Sequence, residues 1–118
     1  MTPVQRLHVG PRLCETAIHN GTVYLAGQIA EDTGLDMTGQ TREVLANIDR
    51  LLAEAHSDKT LILSATIFVA DMALFPLMNK AWDDWVVPGH TPTRATIEAR
   101  LVKPENLVEI KIVAAQKI

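Results

Sequence analysis

Two residues near the C-terminus, Arg94 and Glu109, have the types and setting to act on a small acid. Arg94 lies in Thr93-Arg94-Ala95-Thr96-Ile97-Glu98-Ala99-Arg100, which alternates polar and apolar residues. A period of two describes a half-buried strand, so Arg94, Thr96, Glu98 and Arg100 share one face. In residues 107–115, Val108, Ile110, Ile112 and Ala114 oppose Glu109, Lys111 and Val113 in the same way. The two stretches flank Val102-Lys103-Pro104-Glu105-Asn106 and read as a final hairpin. That pairing puts Arg94 and Glu109 on the same side of a sheet. A guanidinium there offers a bidentate fork to a carboxylate. A glutamate beside it can hold or deliver a proton. On spacing alone, an ion-pair network across strands or subunits, with no chemistry, is the simpler reading.

Other chemistries find less support. The four histidines, His8, His19, His56 and His90, are scattered, so no metal site is expected and each reads as a solvent-facing or singly hydrogen-bonded side chain. Gly34-Leu35-Asp36-Met37-Thr38-Gly39 lacks the lysine and the preceding strand of a phosphate-binding loop. The single cysteine, Cys14, can form neither an internal disulfide nor a thiolate cage, and reads as a small packing residue in a reducing compartment. A net charge of -3 and a pI near 5.7 speak against a phosphate-tracking surface, so no nucleic-acid partner is expected. The N-terminal residues have no apolar signal region, and the run from Leu61 to Ala70 is too short for a membrane span. A cytoplasmic protein without a membrane partner is the expectation.

The elements that must carry these residues are legible in outline. The chain has 118 residues, 47% hydrophobic and 21% charged, the balance of one globular domain over residues 1–118. Residues 3–9 and 15–19 read as strands. Asn20-Gly21 then signals a tight hairpin into residues 22–26, and Gly27 marks a bulge or a close ligand approach. Thr38 is the expected N-cap of a helix running to about His56, with Val44, Leu45, Ile48, Leu51, Leu52 and Ala55 on one face. Residues 61–69 read as a central strand, Leu61, Leu63, Ala65, Ile67 and Val69 on one face and Ile62 and Phe68 on the other. A second helix from about Leu74 to Pro88-Gly89 carries Leu74, Leu77, Met78, Ala81, Trp82 and Trp85 on one stripe, with Asn79 just beside it. Trp82 and Trp85 read as core or interface residues. The sum is an α+β fold: one mixed β-sheet with two helices packed on one face. The central strand is apolar on both sides, so another subunit is the expected cover for the second face.

These residues resemble the RidA/YjgF (reactive intermediate deaminase) family from about residue 11 onward. The matching segments are Val23-Tyr24-Leu25-Ala26-Gly27-Gln28-Ile29 and Ser64-Ala65-Thr66-Ile67-Phe68-Val69-Ala70-Asp71. Met78-Asn79-Lys80-Ala81-Trp82, Pro92-Thr93-Arg94-Ala95-Thr96 and Val108-Glu109-Ile110-Lys111-Ile112-Val113-Ala114 complete them. The YoaB-like branch shares the stretch from Asn79 to Val87 and the last strand almost residue for residue. The resemblance implies a chorismate-mutase-like fold, a homotrimer with clefts between subunits, and no cofactor. It implies hydrolysis of 2-imino acids, or their 2-enamine tautomers, to 2-oxo acids and ammonia. It assigns Arg94 to the substrate carboxylate and Glu109 to water and protons. Thr96, Asn79 and the backbone at Ala26 and Gly27 line the cleft. Thr96 stands where the family often has cysteine. Leu13 and Ala26 stand where hydroxyl-bearing tyrosine and serine are usual, so the pocket lacks both hydroxyls. The alternative is a non-catalytic trimeric module that binds a 2-oxo acid through the same Arg94.

Overall fold

The structure, a computed structural model, describes residues 2–118. The elements in chain order are β1 (Gln5–Val9), β2 (Cys14–His19), β3 (Thr22–Leu25), β4 (Gln28–Ile29), α1 (Met37–Glu54), β5 (Ile62–Val69), α2 (Phe75–Trp85), β6 (Thr93–Glu98) and β7 (Val108–Ala115). The strands form one mixed sheet in the order β1-β2-β3-β7-β5-β6, with β4 also on β7. Both helices pack on one face of it, as expected. Val23, Leu25, Ala65, Ile67, Val108, Ile110 and Ile112 point to that face and meet Val44, Leu45, Ile48, Leu51 and Leu52 of α1 in one buried cluster. Burying each such leucine or isoleucine contributes about 1.5–3 kcal/mol.

Asn20 and Gly21 turn β2 into β3 with positive φ at both positions, 50° and 77°. α1 begins two residues earlier than its sequence suggests. Asp36, not Thr38, is its N-cap, and its carboxylate accepts from the Gly39 N–H at 2.8 Å. Thr38 lies inside the helix, where its hydroxyl donates to the Leu77 carbonyl and ties α1 to α2.

Two expectations fail, and a third feature has no counterpart in the sequence. Residues 93–100 and 107–115 do not form a hairpin. β6 runs parallel to β5, with Ala65 opposite Arg94, and β5 separates it from β7. The unit β5–α2–β6 is therefore a parallel crossover, and α2 is its connecting helix. Second, the register slips between Ile62 and Ser64 where β5 meets β7. That irregularity turns Ile62 into the core at 6% exposure and Leu63 out to 51%, reversing their expected sides. Third, the chain leaves β3 at Ala26 and rejoins the sheet as β4 on β7, a two-residue strand with no periodic signature.

Candidate functional site

Arg94 and Glu109 lie on opposite faces of the sheet. Paired residues share a face, and Arg94 is level with Ala65, whose side chain is buried under the helices. Glu109 is level with Phe68, three residues along the same strand and so on the helix-free side. The expected shared side rested on the hairpin. With β6 placed on β5 instead, one chain holds two separate half-sites.

The first half-site is the seam between β6 and α2. β6 is the last strand of the sheet, and Arg94 is exposed there. Its Nη1 donates to Asn79 Oδ1 at 2.7 Å. Its guanidinium carbon stands 5.6 Å from the Phe75 ring centre and 5.3 Å from that of Trp82. Phe75, Asn79 and Trp82 fall at i, i+4 and i+7 of α2 and so share one stripe. Pro76 sits in the helix's first turn, where its missing N–H costs no hydrogen bond. No carboxylate pairs with Arg94 among the described residues; the ion pairs lie elsewhere, at His8–Glu54, Arg42–Asp84, Arg50–Glu54 and Lys117–Asp58. Thr96 is half-buried two residues along, level with Ile67 and thus on the same side as Arg94.

The second half-site surrounds Glu109 on β7. Its half-buried side chain lies over the backbone of Gly27, so closely that a Cβ there would overlap the carboxylate. The carboxyl carbon would sit 2.9 Å from such a Cβ and Cγ 3.2 Å. Gly27 is required for this approach and not for an unusual φ. Ala26 N–H donates to the Glu15 carbonyl, and Gln28 Nε2 donates to Glu15 Oε2 at 2.7 Å, fixing the Ala26–Gly27 link. Lys111, two residues from Glu109 on the same face, donates Nζ–H to the Leu25 carbonyl at 2.8 Å. Leu13 immediately precedes β2 and is 56% exposed, and among the described residues no hydrogen bond joins it to either half.

The structure thus brings Arg94, Asn79 and Thr96 to one half and Glu109, Ala26 and Gly27 to the other. The aromatic bracket of Phe75 and Trp82 was not anticipated, although their spacing with Asn79 is a readable signal. A cavity of about 670 Å³ under the link from β6 to β7 is lined by residues that include Glu98, Arg100, Lys103 and Asn106 and contains neither half. A cavity of about 420 Å³ reaches Gly27 from the side of His8, Glu15 and Arg50. Among the described residues no group of three His, Cys, Asp or Glu side chains is placed to hold a metal, and no helix is long and apolar enough to cross a membrane.

This fold, a mixed sheet with two helices on one face, is shared with a defined set of proteins. Residues 6–116 match the family described as Endoribonuclease L-PSP, and the chain belongs to that family. A RutC family protein of Haemophilus ducreyi is 48% identical over 112 residues, covering 95% of this chain and 96% of that one. The RutC family protein YoaB of Escherichia coli K12 is 47% identical, over 95% of this chain and 97% of its own. A YjgF-family crystal structure from Neisseria meningitidis superposes with a TM-score of 0.96 at 44% identity, covering 98% of this chain and 97% of that one.

Proposed function

We propose that this chain hydrolyses 2-imino acids, or their 2-enamine tautomers, to 2-oxo acids and ammonia in clefts between the subunits of a homotrimer. The observation that carries the reading is Arg94: an exposed guanidinium with no counter-ion among the described residues, held by a neutral amide and two aromatic rings. Such a cation is a receptor for an anion that the chain itself does not supply. Two copies are required because Arg94 and Glu109 occupy opposite faces. The helix-free face has exposed Tyr24, Leu63 and Ile97, which a second copy would cover.

In the cleft, Arg94 of one subunit takes the substrate carboxylate bidentately, with Asn79 restraining the guanidinium. The neighbouring subunit's half brings its glutamate to C2. A water held by the Glu109 carboxylate adds to the iminium carbon and gives up a proton to Glu109. The resulting carbinolamine receives that proton on nitrogen; as the C–N bond breaks, Glu109 takes the proton of the new hydroxyl, so ammonia leaves, C2 becomes a carbonyl, and the proton passes from Glu109 to the departing ammonia as ammonium. Positioned proton transfer of this kind contributes about 10²–10⁴-fold. Thr96 places a hydroxyl near the bound carboxylate. Ala26 and Gly27 form the wall beneath Glu109, and Leu13 borders it.

A second reading, a trimeric 2-oxo-acid binding module, is favoured by Leu13 and Ala26, which bring no hydroxyl to the pocket. It uses the Arg94 half and makes no use of Glu109. The ribonuclease activity in the family's description gains no support from a chain of net charge -3. A coupled assay separates the first two. Threonine dehydratase generates the imine in situ, and its decay is followed with and without this protein. Accelerated decay is expected; decay at the buffer rate together with 2-oxo-acid binding would establish the module.

A further inference from the structure

An arginine side chain is long and gives up considerable rotamer freedom when it is held in one place. In most proteins a carboxylate holds it. Here the polar partner is a neutral amide, and the remaining restraint comes from two ring systems on the same stripe of α2. We propose that Trp82, assisted by Phe75, is a positioning residue for Arg94: its ring fixes the guanidinium at the sheet edge while leaving N–H groups free for a carboxylate. This rests on the reading of Arg94 as a carboxylate receptor.

The two tryptophans of α2 divide their work. Their rings stand 5.4 Å apart, yet they face different partners. Trp85 donates Nε1–H to Asp49 Oδ2 and carries Lys59 over its ring at 5.5 Å, both toward α1 and the outer surface. Trp82, almost one turn earlier and 5% exposed, lies with one part in the core cluster and within cation–π reach of Arg94. Being buried, Trp82 has little freedom of its own, so it can act as a fixed reference for the mobile cation. Phe75 is half-buried and supplies the second ring. A neutral bracket suits a receptor better than a carboxylate would. A resident carboxylate would compete with the ligand for the same N–H groups, whereas a ring face attracts the cation without occupying them.

The test uses the intact chain and 2-oxobutanoate as probe, with binding followed by calorimetry. Trp82→Leu should weaken binding about three- to thirtyfold, the span of cation–π contributions from exposed to desolvated sites. Trp82→Phe keeps a ring and should recover most of that loss. Trp85→Phe, which leaves the Arg94 contacts alone, should bind as the wild type does. The second readout needs no ligand: the Arg94 Nε–Hε resonance, displaced by ring currents in the wild type, should move and sharpen in Trp82→Leu. An unmoved resonance in a folded Trp82→Leu protein overturns the proposal, whatever the ligand does. A moved resonance with no wild-type binding of 2-oxobutanoate instead removes the receptor reading and leaves the positioning intact. If Trp82→Leu fails to fold, Phe75→Leu carries the same two measurements, and unchanged values there count against the proposal.

Discussion

Mixing two defective variants tests the separation of Arg94 and Glu109 more sharply than either variant alone. In one chain the two side chains point to opposite faces of the sheet, on strands separated by β5. If each cleft takes its arginine from one subunit and its glutamate from the next, the two lesions can complement. Arg94→Ala removes the carboxylate clamp. Glu109→Gln removes the proton carrier, and each homotrimer should fall to about 1% of wild-type turnover or below. Random reassembly at equal proportions gives a cleft its intact arginine in half of all cases. The adjoining subunit independently supplies an intact glutamate in half. About one quarter of clefts are then complete, so the reassembled population should recover about 25% of wild-type imine decay. The assay is decay of dehydratase-generated imine before and after the two proteins are unfolded and refolded together. Differential tags confirm that mixed species have formed. Recovery near a quarter is some 25-fold above the unmixed baseline and needs no structural measurement. No recovery in verified mixed trimers would refute the two-subunit cleft, because a site within one chain can never be repaired by its neighbour.

Four further outcomes follow from particular contacts. Gly27→Ala should cut turnover about 10²-fold with little loss of stability, since the new methyl displaces the Glu109 carboxylate, a mobile side chain end, and not backbone. Gly21→Ala should do the reverse, losing about 1 kcal/mol in urea denaturation at full activity, because Gly21 has φ 77° and open space around it. Arg94→Lys should lose most activity while remaining trimeric by sedimentation at three times the 13.0 kDa chain mass, since an ammonium cannot offer two parallel N–H donors; near wild-type turnover would disprove bidentate binding. The Glu54 carboxyl is held below its ordinary pKa chiefly by the His8 hydrogen bond, so it favours the folded state above its ordinary value and loses that contribution as pH falls through the lowered one. His8→Asn, which tolerates the left-handed φ of 55° at that position, should raise the Glu54 titration toward normal by carboxyl NMR and flatten this acid limb of stability; an unmoved titration would refute the link.

The parts of this fold that read from sequence are those governed by local periodicity. Val44, Leu45, Ile48, Leu51 and Leu52 mark the buried face of α1, and Asn20-Gly21 can do little but turn. Which strands pair is not a local property. Alternation in residues 93–98 groups Arg94 with Thr96, but it is silent on whether that group faces the helices or the open side. The answer depends on β6 crossing over α2 to join β5, a pairing between distant segments. The reversal of Ile62 and Leu63 has the same origin, since one slipped position exchanges the sides of a strand. Arg94 and Glu109 are conspicuous as residue types, but their separation emerges only from the sheet order. The aromatic bracket was legible in principle: Phe75, Asn79 and Trp82 share a helical stripe, and only their common target was hidden.

The sheet order also links assembly to chemistry. β6 pairs on one side only, and all of its residues except Thr96 are exposed. An uncovered edge strand is an invitation to association, and this one carries Ile97 on one face and Arg94 on the other. In the proposed trimer, a second copy that covers the edge would shield the apolar face and at the same time bring its own Glu109 half within reach of the cation. The receptor half is formed within the monomer by α2, which holds the guanidinium before any partner arrives. What a partner would add, on the proposed function, is the proton carrier. On this account an isolated chain would still recognise a carboxylate weakly but could not turn over an imine. Binding would precede assembly in the order of what the fold builds, and catalysis would belong to the oligomer alone.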